Sequence, residues 1–236
     1  LKDIRGKIKL KHKYEGASKS KLLNKIVIAV DDEQVAKAAK GFGAATIMTP
    51  KDCPTGSDRI AVAAKEFPRA DIIVNIQGDE PFISGMMIDQ AIEPLLFDPE
   101  VNVSTLAKVI DNVEEFISPS VVKVVFDYKN FALYFSRSPI PFVREAKNQK
   151  EMLEQASVYK HVGLYVYRKD SLIEFTQLEP TDLEQWEKLE QLRMLENGFK
   201  IKIVETEYDS FSVDTPEDLE KARKIYSKLK KIELAK

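Results

Sequence analysis

Asp71-Ile72-Ile73-Val74-Asn75-Ile76-Gln77, followed directly by Gly78-Asp79-Glu80-Pro81, is the stretch on which the fold turns. Its β-branched side chains fall on both faces of an extended chain, which reads as a strand covered on both sides. Gly78 and Pro81 stop it. Working outward, the pattern alternates. Upstream, residues 25–30 (KIVIAV) read as a strand ended by Asp31-Asp32, residues 33–41 as a helix and 46–48 as a second short strand. Thr55-Gly56-Ser57 reads as a turn and helix cap before Ile60, Ala61, Ala63, Ala64 and Phe67. Downstream, a helix is predicted over 85–96 and strands over 101–109, 121–127, 132–137, 162–168 and 200–205. Residues 183–196 read as one helix, opened by a Thr181/Glu184 capping box and closed by Asn197-Gly198. A last helix is expected over 215–231, with Pro216 in its first turn. Such alternation predicts an α/β fold, a mainly parallel sheet with helices on both faces, whose ligands sit beyond the carboxyl ends of the strands.

Composition narrows the function. The chain has 236 residues, with Lys+Arg 36 against Asp+Glu 38, a net charge of −2. That balance argues against a nucleic-acid partner. Hydrophobic residues at 44% and charged residues at 31% suit a globular chain. No apolar run approaches the ~20 residues of a membrane span. Cys53 stands alone, so no disulfide framework or zinc cluster forms within the chain, and a reduced, cytoplasmic setting is expected. The opening LKDIRGKIKLKHKY lacks an initiator Met and the apolar core of a secretion signal. A start at Leu1 therefore implies a preceding segment that was removed or left out. No GxGxxG, Walker A, GxSxG or HExxH motif occurs, and two histidines give Ser-His-Asp chemistry little to work with.

The candidate residues each have a bland and a chemical reading. Asp79 and Glu80 lie where a buried strand delivers its carboxyl end, which suits a hard cation such as Mg²⁺; an acidic turn capping the next helix would look the same. Asp214, in Ser212-Val213-Asp214-Thr215-Pro216, is either a helix cap or a second carboxylate. Glu190 and Arg193 fall on the apolar side of the 183–196 helix, so they either pair with each other or face a polar ligand. Arg137 ends an apolar strand and could hold a carboxylate in a forked pair or lie along the edge. His161 precedes Val162-Gly163-Leu164-Tyr165; a lone histidine there is more often structural than catalytic.

Asn75-Ile76-Gln77-Gly78-Asp79-Glu80-Pro81 resembles the hallmark of the 3-deoxy-manno-octulosonate (Kdo) cytidylyltransferase family. In the same order and spacing stand Val30-Asp31-Asp32-Glu33, Thr55-Gly56-Ser57-Asp58-Arg59, Val122-Lys123-Val124-Val125, Tyr134-Phe135-Ser136-Arg137-Ser138-Pro139-Ile140-Pro141, Lys160-His161-Val162-Gly163-Leu164-Tyr165, Leu189-Glu190-Gln191-Leu192-Arg193 and Val213-Asp214-Thr215-Pro216-Glu217-Asp218. The resemblance spans residues 16–225. It implies a single Rossmann-like nucleotidyltransferase domain over 1–236 with a smaller mixed β extension, residues 120–170 serving the sugar site and dimerisation. It also implies CMP transfer from CTP to Kdo with release of pyrophosphate, Mg²⁺ as cofactor, a homodimer, and a role in lipopolysaccharide biosynthesis. By the same resemblance Asp79 and Asp214 hold the metal. Lys7, Ser57, Arg59 and Gln77 contact the nucleotide; Arg137, His161, Tyr165, Glu190 and Gln191 line the sugar site. A cytidylyltransferase for another acidic sugar, and a non-catalytic relative, are the alternatives.

The family opens with a strand and a triphosphate-cradling loop, and Leu1 falls just after that loop. The resemblance thus predicts a vacant position in the sheet and no activity for a chain that truly starts at Leu1, with the full-length protein active. Ile8 stands where the family has Pro, and residues 9–14 are more basic than the amphipathic helix expected there.

Overall fold

In the computed structural model, residues 3–4, 7–77 and 83–208 are described. The two-residue strands β1 (Asp3–Ile4) and β2 (Lys7–Ile8) pair antiparallel and lead into α1 (Lys9–Ala17). β3 (Val27–Val30), α2 (Glu33–Lys40) and β4 (Ala45–Met48) follow, the two strands pairing in parallel. Asp32 caps α2 by accepting the Gln34 and Val35 N–H groups at 2.7 and 3.0 Å. α3 (Gly56–Ala64) opens on a reciprocal capping box: Thr55 Oγ1 accepts the Asp58 N–H and the Asp58 carboxylate accepts that of Thr55. The chain continues through β5 (Ile72–Ile76), α4 (Gly85–Phe97), β6 (Val103–Val109), α5 (Val113–Ile117), β7 (Lys123–Phe126), β8 (Ala132–Ser136), α6 (Gln149–Gln155), β9 (Tyr159–Arg168), α7 (Lys169–Phe175), α8 (Asp182–Glu187), α9 (Gln191–Glu196) and β10 (Ile201–Glu205).

The larger sheet is organised by β9. One edge of β9 pairs along its length with β6, and β10 lies beyond β6 in parallel. The other edge is shared: β7 takes residues 159–160 and β5 takes 164–168. β8 completes a hairpin outside β7. Because β5 and β6 both run antiparallel to β9, they run the same way as each other and as β10. This is the expected α/β sheet with its mixed extension, and β9, with β8 at the edge, runs in reverse. Strand–helix alternation carries no sign of that reversal.

Period-two alternation divides the core. Val103, Ala107, Tyr165 and Tyr167 face α3, α7 and α9 through Ala61, Ala64, Phe175 and Leu192. Leu106, Val162, Leu164 and Val166 face the opposite way, onto Met87, Ile88, Ala91 and Leu95 of α4. The turn leaving α1 docks on α4 at two points. A Cβ on Gly85 would meet the Lys19 and Ser20 backbone at 2.3 Å, so only glycine permits the approach. One turn on, the Asp89 carboxylate accepts the Ser20 hydroxyl and the Lys21 and Leu22 N–H groups. Burial pushes the Asp89 carboxyl up, but these bonds outweigh it and hold it below its usual value of 3.8. A depressed carboxylate contributes stability that is present above its unfolded pKa and lost as pH falls through the folded one. Asp89→Ala is therefore expected to lower the melting temperature at pH 7 and to flatten the acid limb of a stability–pH curve below about pH 4.

The predicted continuous helix over 183–196 is two helices. Lys188 adopts the left-handed conformation (φ 55, ψ 49) and ends α8. Leu189 N–H turns back to Glu184 O at 3.2 Å, and Arg193 grips the Glu184 carboxylate at 2.7 and 2.8 Å. The fold-back gives Arg193 a buried partner that a straight helix would have put elsewhere. The helix expected over 215–231 lies outside the described residues.

Candidate active site

A cleft of about 1380 Å³ separates the β3–β4 pair from the larger sheet. Val27, Ile28 and Ala29 line one wall, and 72–77 the other. Lys13 and Tyr14 of α1 and Gly56 and Arg59 of α3 contribute to the lining. Lys13 Nζ donates to Gln77 O. Arg59 spans the carboxyl ends of β3 and β4, donating to Asp31 Oδ2 at 2.8 Å, Thr49 Oγ1 at 2.6 Å and Pro50 O at 3.2 Å.

At the carboxyl end of β5 the cleft meets a cluster of buried polar groups. The break at Lys188 brings Glu190, at the head of α9, onto Gln77, whose Nε2 donates to Glu190 Oε1 at 3.3 Å. Ser57, wholly buried in the first turn of α3, accepts from Asn75 Nδ2 at 3.4 Å. Tyr165 and Tyr167, successive inward positions of β9, stack at 5.9 Å between ring centroids. Glu190 Oε2 and both tyrosine hydroxyls are buried with no hydrogen-bond partner among the described residues. Buried polar atoms are nearly always satisfied, so three orphans together mark a place for a polar ligand. Burial pushes the Glu190 carboxyl up, opposed by the Thr55 and Ser57 hydroxyls and by Arg193. Burial also raises Tyr165 well above 10, and raises Tyr167, with Glu190 adding to both and the nearby Ser57 hydroxyl opposing the rise at Tyr167.

His161 begins the same row. Its ring meets Phe135 edge-on at 5.2 Å and Tyr165 at 5.2 Å, and Nε2 lies 2.8 Å from Thr105 Oγ1. Burial lowers its pKa to about 3, so the imidazole is neutral at any working pH.

Arg137 builds the neighbouring corner. Its Nε donates to Glu187 O at 2.7 Å, Nη1 to Pro119 O at 2.9 Å and Nη2 to Lys188 O at 3.3 Å. The Glu187 and Lys188 carbonyls are ones that the end of α8 leaves open, and Pro119 ties the corner to the loop before β7. Glu187 returns the contact, accepting the Arg137 N–H at 2.9 Å and the Ser136 hydroxyl at 2.6 Å. Lys123, wholly buried, donates to Arg137 O at 2.6 Å; burial lowers its pKa to about 8. The fork that sequence reasoning reserved for a ligand carboxylate is thus spent on main-chain carbonyls. Arg137→Ala is expected to cost about 1–2 kcal/mol in urea unfolding, as the half-buried Glu187 carbonyl and two exposed ones lose a charged donor. Arg137→Lys is expected to recover only part of that loss, because a single ammonium does not span the three.

Of the residues singled out in the sequence, the structure brings Ser57, Gln77, Tyr165, Glu190 and His161 into one neighbourhood. Gln191, buried in the first turn of α9, follows Glu190. Arg59 lies along the cleft. Lys7 lies in β2, described by its backbone alone. Asp79 and Asp214 lie outside the described residues, and no group of three or more potential metal ligands occurs among those described. No described helix is long and apolar enough to cross a membrane. Sequence reasoning missed Tyr167, Asn75 and Thr105. The alternation of β9, which puts Tyr167 beside Tyr165, was the signal for the first.

Comparison with known proteins places the chain in a family. The cytidylyltransferase family's sequence model matches residues 1–203. Two proteins named 3-deoxy-manno-octulosonate cytidylyltransferase are each 50% identical over 98% of this chain and 92% of their own length, one from Geobacter sulfurreducens and one from Geotalea uraniireducens. A solved CMP:2-keto-3-deoxy-manno-octonic acid synthetase complexed with CTP superimposes with a TM-score of 0.87 at 39% identity, over 97% of this chain and 91% of that one. Half identical to proteins of that name along nearly its whole length, this chain belongs to the 3-deoxy-manno-octulosonate cytidylyltransferase family.

Proposed function

We propose that this chain activates Kdo for lipopolysaccharide biosynthesis, joining CTP and Kdo to give CMP-Kdo and pyrophosphate. The anomeric hydroxyl oxygen attacks the α-phosphorus, the bond to pyrophosphate breaks in line, and the hydroxyl proton leaves. Such a displacement needs positioning and charge neutralisation more than a protein nucleophile. The observation that carries the reading is the orphaned polar row of Glu190, Tyr165 and Tyr167 beside Gln77. A hydroxyl-rich sugar acid supplies the donors and acceptors those atoms lack. Neutral His161 extends the row. Ser57, Arg59, Gln77 and Lys7 are assigned to the nucleotide, and Arg137, His161, Tyr165, Glu190 and Gln191 to the sugar side, Arg137 through the corner it builds.

Asp79 and Asp214 are assigned to Mg²⁺. Two carboxylates and a triphosphate form an all-oxygen donor set that suits this ion. When bound, it neutralises the charge of two anions brought together. A cytoplasmic homodimer completes the proposal: Leu133, Phe142 and Trp186, 63%, 77% and 75% exposed, lie on and around β8 and α8, large apolar side chains for a second copy to cover.

Pyrophosphate release from CTP tests the proposal. Release that requires both Kdo and Mg²⁺, and falls to background in Asp79→Ala, is expected. Turnover with another acidic sugar and none with Kdo would move the assignment to that sugar; CTP binding without turnover of any acceptor would leave a non-catalytic relative.

A further inference from the structure

We infer that Thr105 is a positioning residue that fixes which ring nitrogen of His161 carries the proton, so that the imidazole offers the sugar a hydrogen-bond acceptor. The inference rests on the reading of His161 as a sugar-side residue and adds the chemistry that His161 presents.

The argument begins in the ladder. Thr105 pairs with Tyr165, but the next residue of β6, Leu106, pairs with Val162. Gly163 and Leu164 have no opposite on β6, so β9 bulges there and its carbonyls turn out of register with β6. Thr105, wholly buried, reaches into that bulge: its hydroxyl donates to Leu164 O at 2.7 Å, with Val162 O at 3.3 Å. A threonine hydroxyl has one proton. With that proton committed to a carbonyl, Oγ1 meets His161 Nε2 at 2.8 Å as an acceptor. Nε2 must therefore carry hydrogen, and a neutral imidazole then has a bare Nδ1. Phe135 and Tyr165 pack on the ring and hold its orientation. A bare nitrogen accepts from a hydroxyl and repels a carboxylate. His161 thus reads a hydroxyl of the acceptor sugar and not its acid group.

The test is direct because the chain has two histidines. Long-range ¹H–¹⁵N spectra of the imidazoles, with His12→Gln to assign His161, report the tautomer independently of turnover. The expected result is a neutral ring protonated at Nε2. Thr105→Val, which keeps the shape and removes the hydroxyl, is expected to spread the proton over both nitrogens. The KM for Kdo should rise by about tenfold, the effect of one hydrogen bond, with kcat and the KM for CTP little changed. Thr105→Ser should restore both the spectrum and the KM. A ring protonated at Nδ1 in the unsubstituted protein, or a spectrum unmoved by Thr105→Val, would overturn the inference. Should Thr105→Val fail to fold, the unsubstituted and Thr105→Ser spectra still decide. A correct tautomer in a protein that does not use Kdo would sink the proposed substrate and leave the Thr105–His161 assignment standing.

Discussion

Glu190→Gln is expected to give a protein that melts higher than the original and works far more slowly. Burial raises the Glu190 carboxyl above its ordinary value of 4.5. A carboxylate whose folded pKa exceeds its unfolded one holds its proton more tightly in the folded state. Its contribution is full below the unfolded pKa and is lost as pH rises through the folded one. At neutral pH the ionised group is a burden on the fold, with Oε2 lacking any described partner. Glutamine keeps the shape and an oxygen for the Gln77 amide, and removes the charge. If Glu190 serves only packing, activity should survive. If its carboxylate accepts a substrate hydroxyl, kcat/KM for Kdo should fall about 10–100-fold, the range for a hydrogen bond to a charged group. A rate that rises with pH through the Glu190 titration should also become flat in the variant. The decisive pair of measurements is a melting curve at pH 7.5 beside kcat/KM. A lower melting temperature with retained activity would remove Glu190 from the site.

Glu184→Ala is expected to be the most damaging single change to stability, about 3–5 kcal/mol, because it leaves the Arg193 guanidinium buried without the one carboxylate bonded to it. The side chains are 6% and 11% exposed and meet through two bonds. Arg193 would keep Leu178 O at 3.0 Å, the Phe175 ring at 4.9 Å and the unbonded carboxylates of Asp58 and Glu190. Replacing both partners together, Glu184→Met with Arg193→Leu, should cost much less, since no charge is then stranded. Urea unfolding of the two singles and the double gives the coupling directly. A double variant as unstable as Glu184→Ala would mean that the pair's geometry, and not its charge, holds α8 against α9.

The long strands were legible because their pattern is strong. Residues 72–76, 103–109 and 201–205 fall within two positions of where β-branched runs placed them. α5, α6 and α7 were not, since helices of five to seven residues show less than two turns of periodicity. The break at Lys188 was hidden because nothing there announces it; the left-handed position holds a lysine, where glycine or asparagine is the usual sign. Glu190 and Gln77 stand 113 residues apart, and only the family resemblance put them on the same list before the fold did. Arg137 shows the reverse: a residue type and strand-end position that suggested a ligand turn out to close a helix end.

The offset between β6 and β9 has a consequence for insertions and deletions. Stepping from Thr105 to Leu106 advances one residue on β6 and three on β9, two more than a regular ladder. An even surplus leaves alternation intact, which is why His161 and Tyr165 share a face. A one-residue deletion between 162 and 164 would turn His161 toward the α4 layer, where Leu106 and Val162 pack. Deleting Gly163 and Leu164 would preserve every facing, regularise the pairing and leave His161 opposite Ala107, yet remove the Leu164 carbonyl that takes the Thr105 proton. Length variation in this segment is therefore expected in steps of two if at all, with the shorter form stable but its His161 proton no longer fixed to one ring nitrogen.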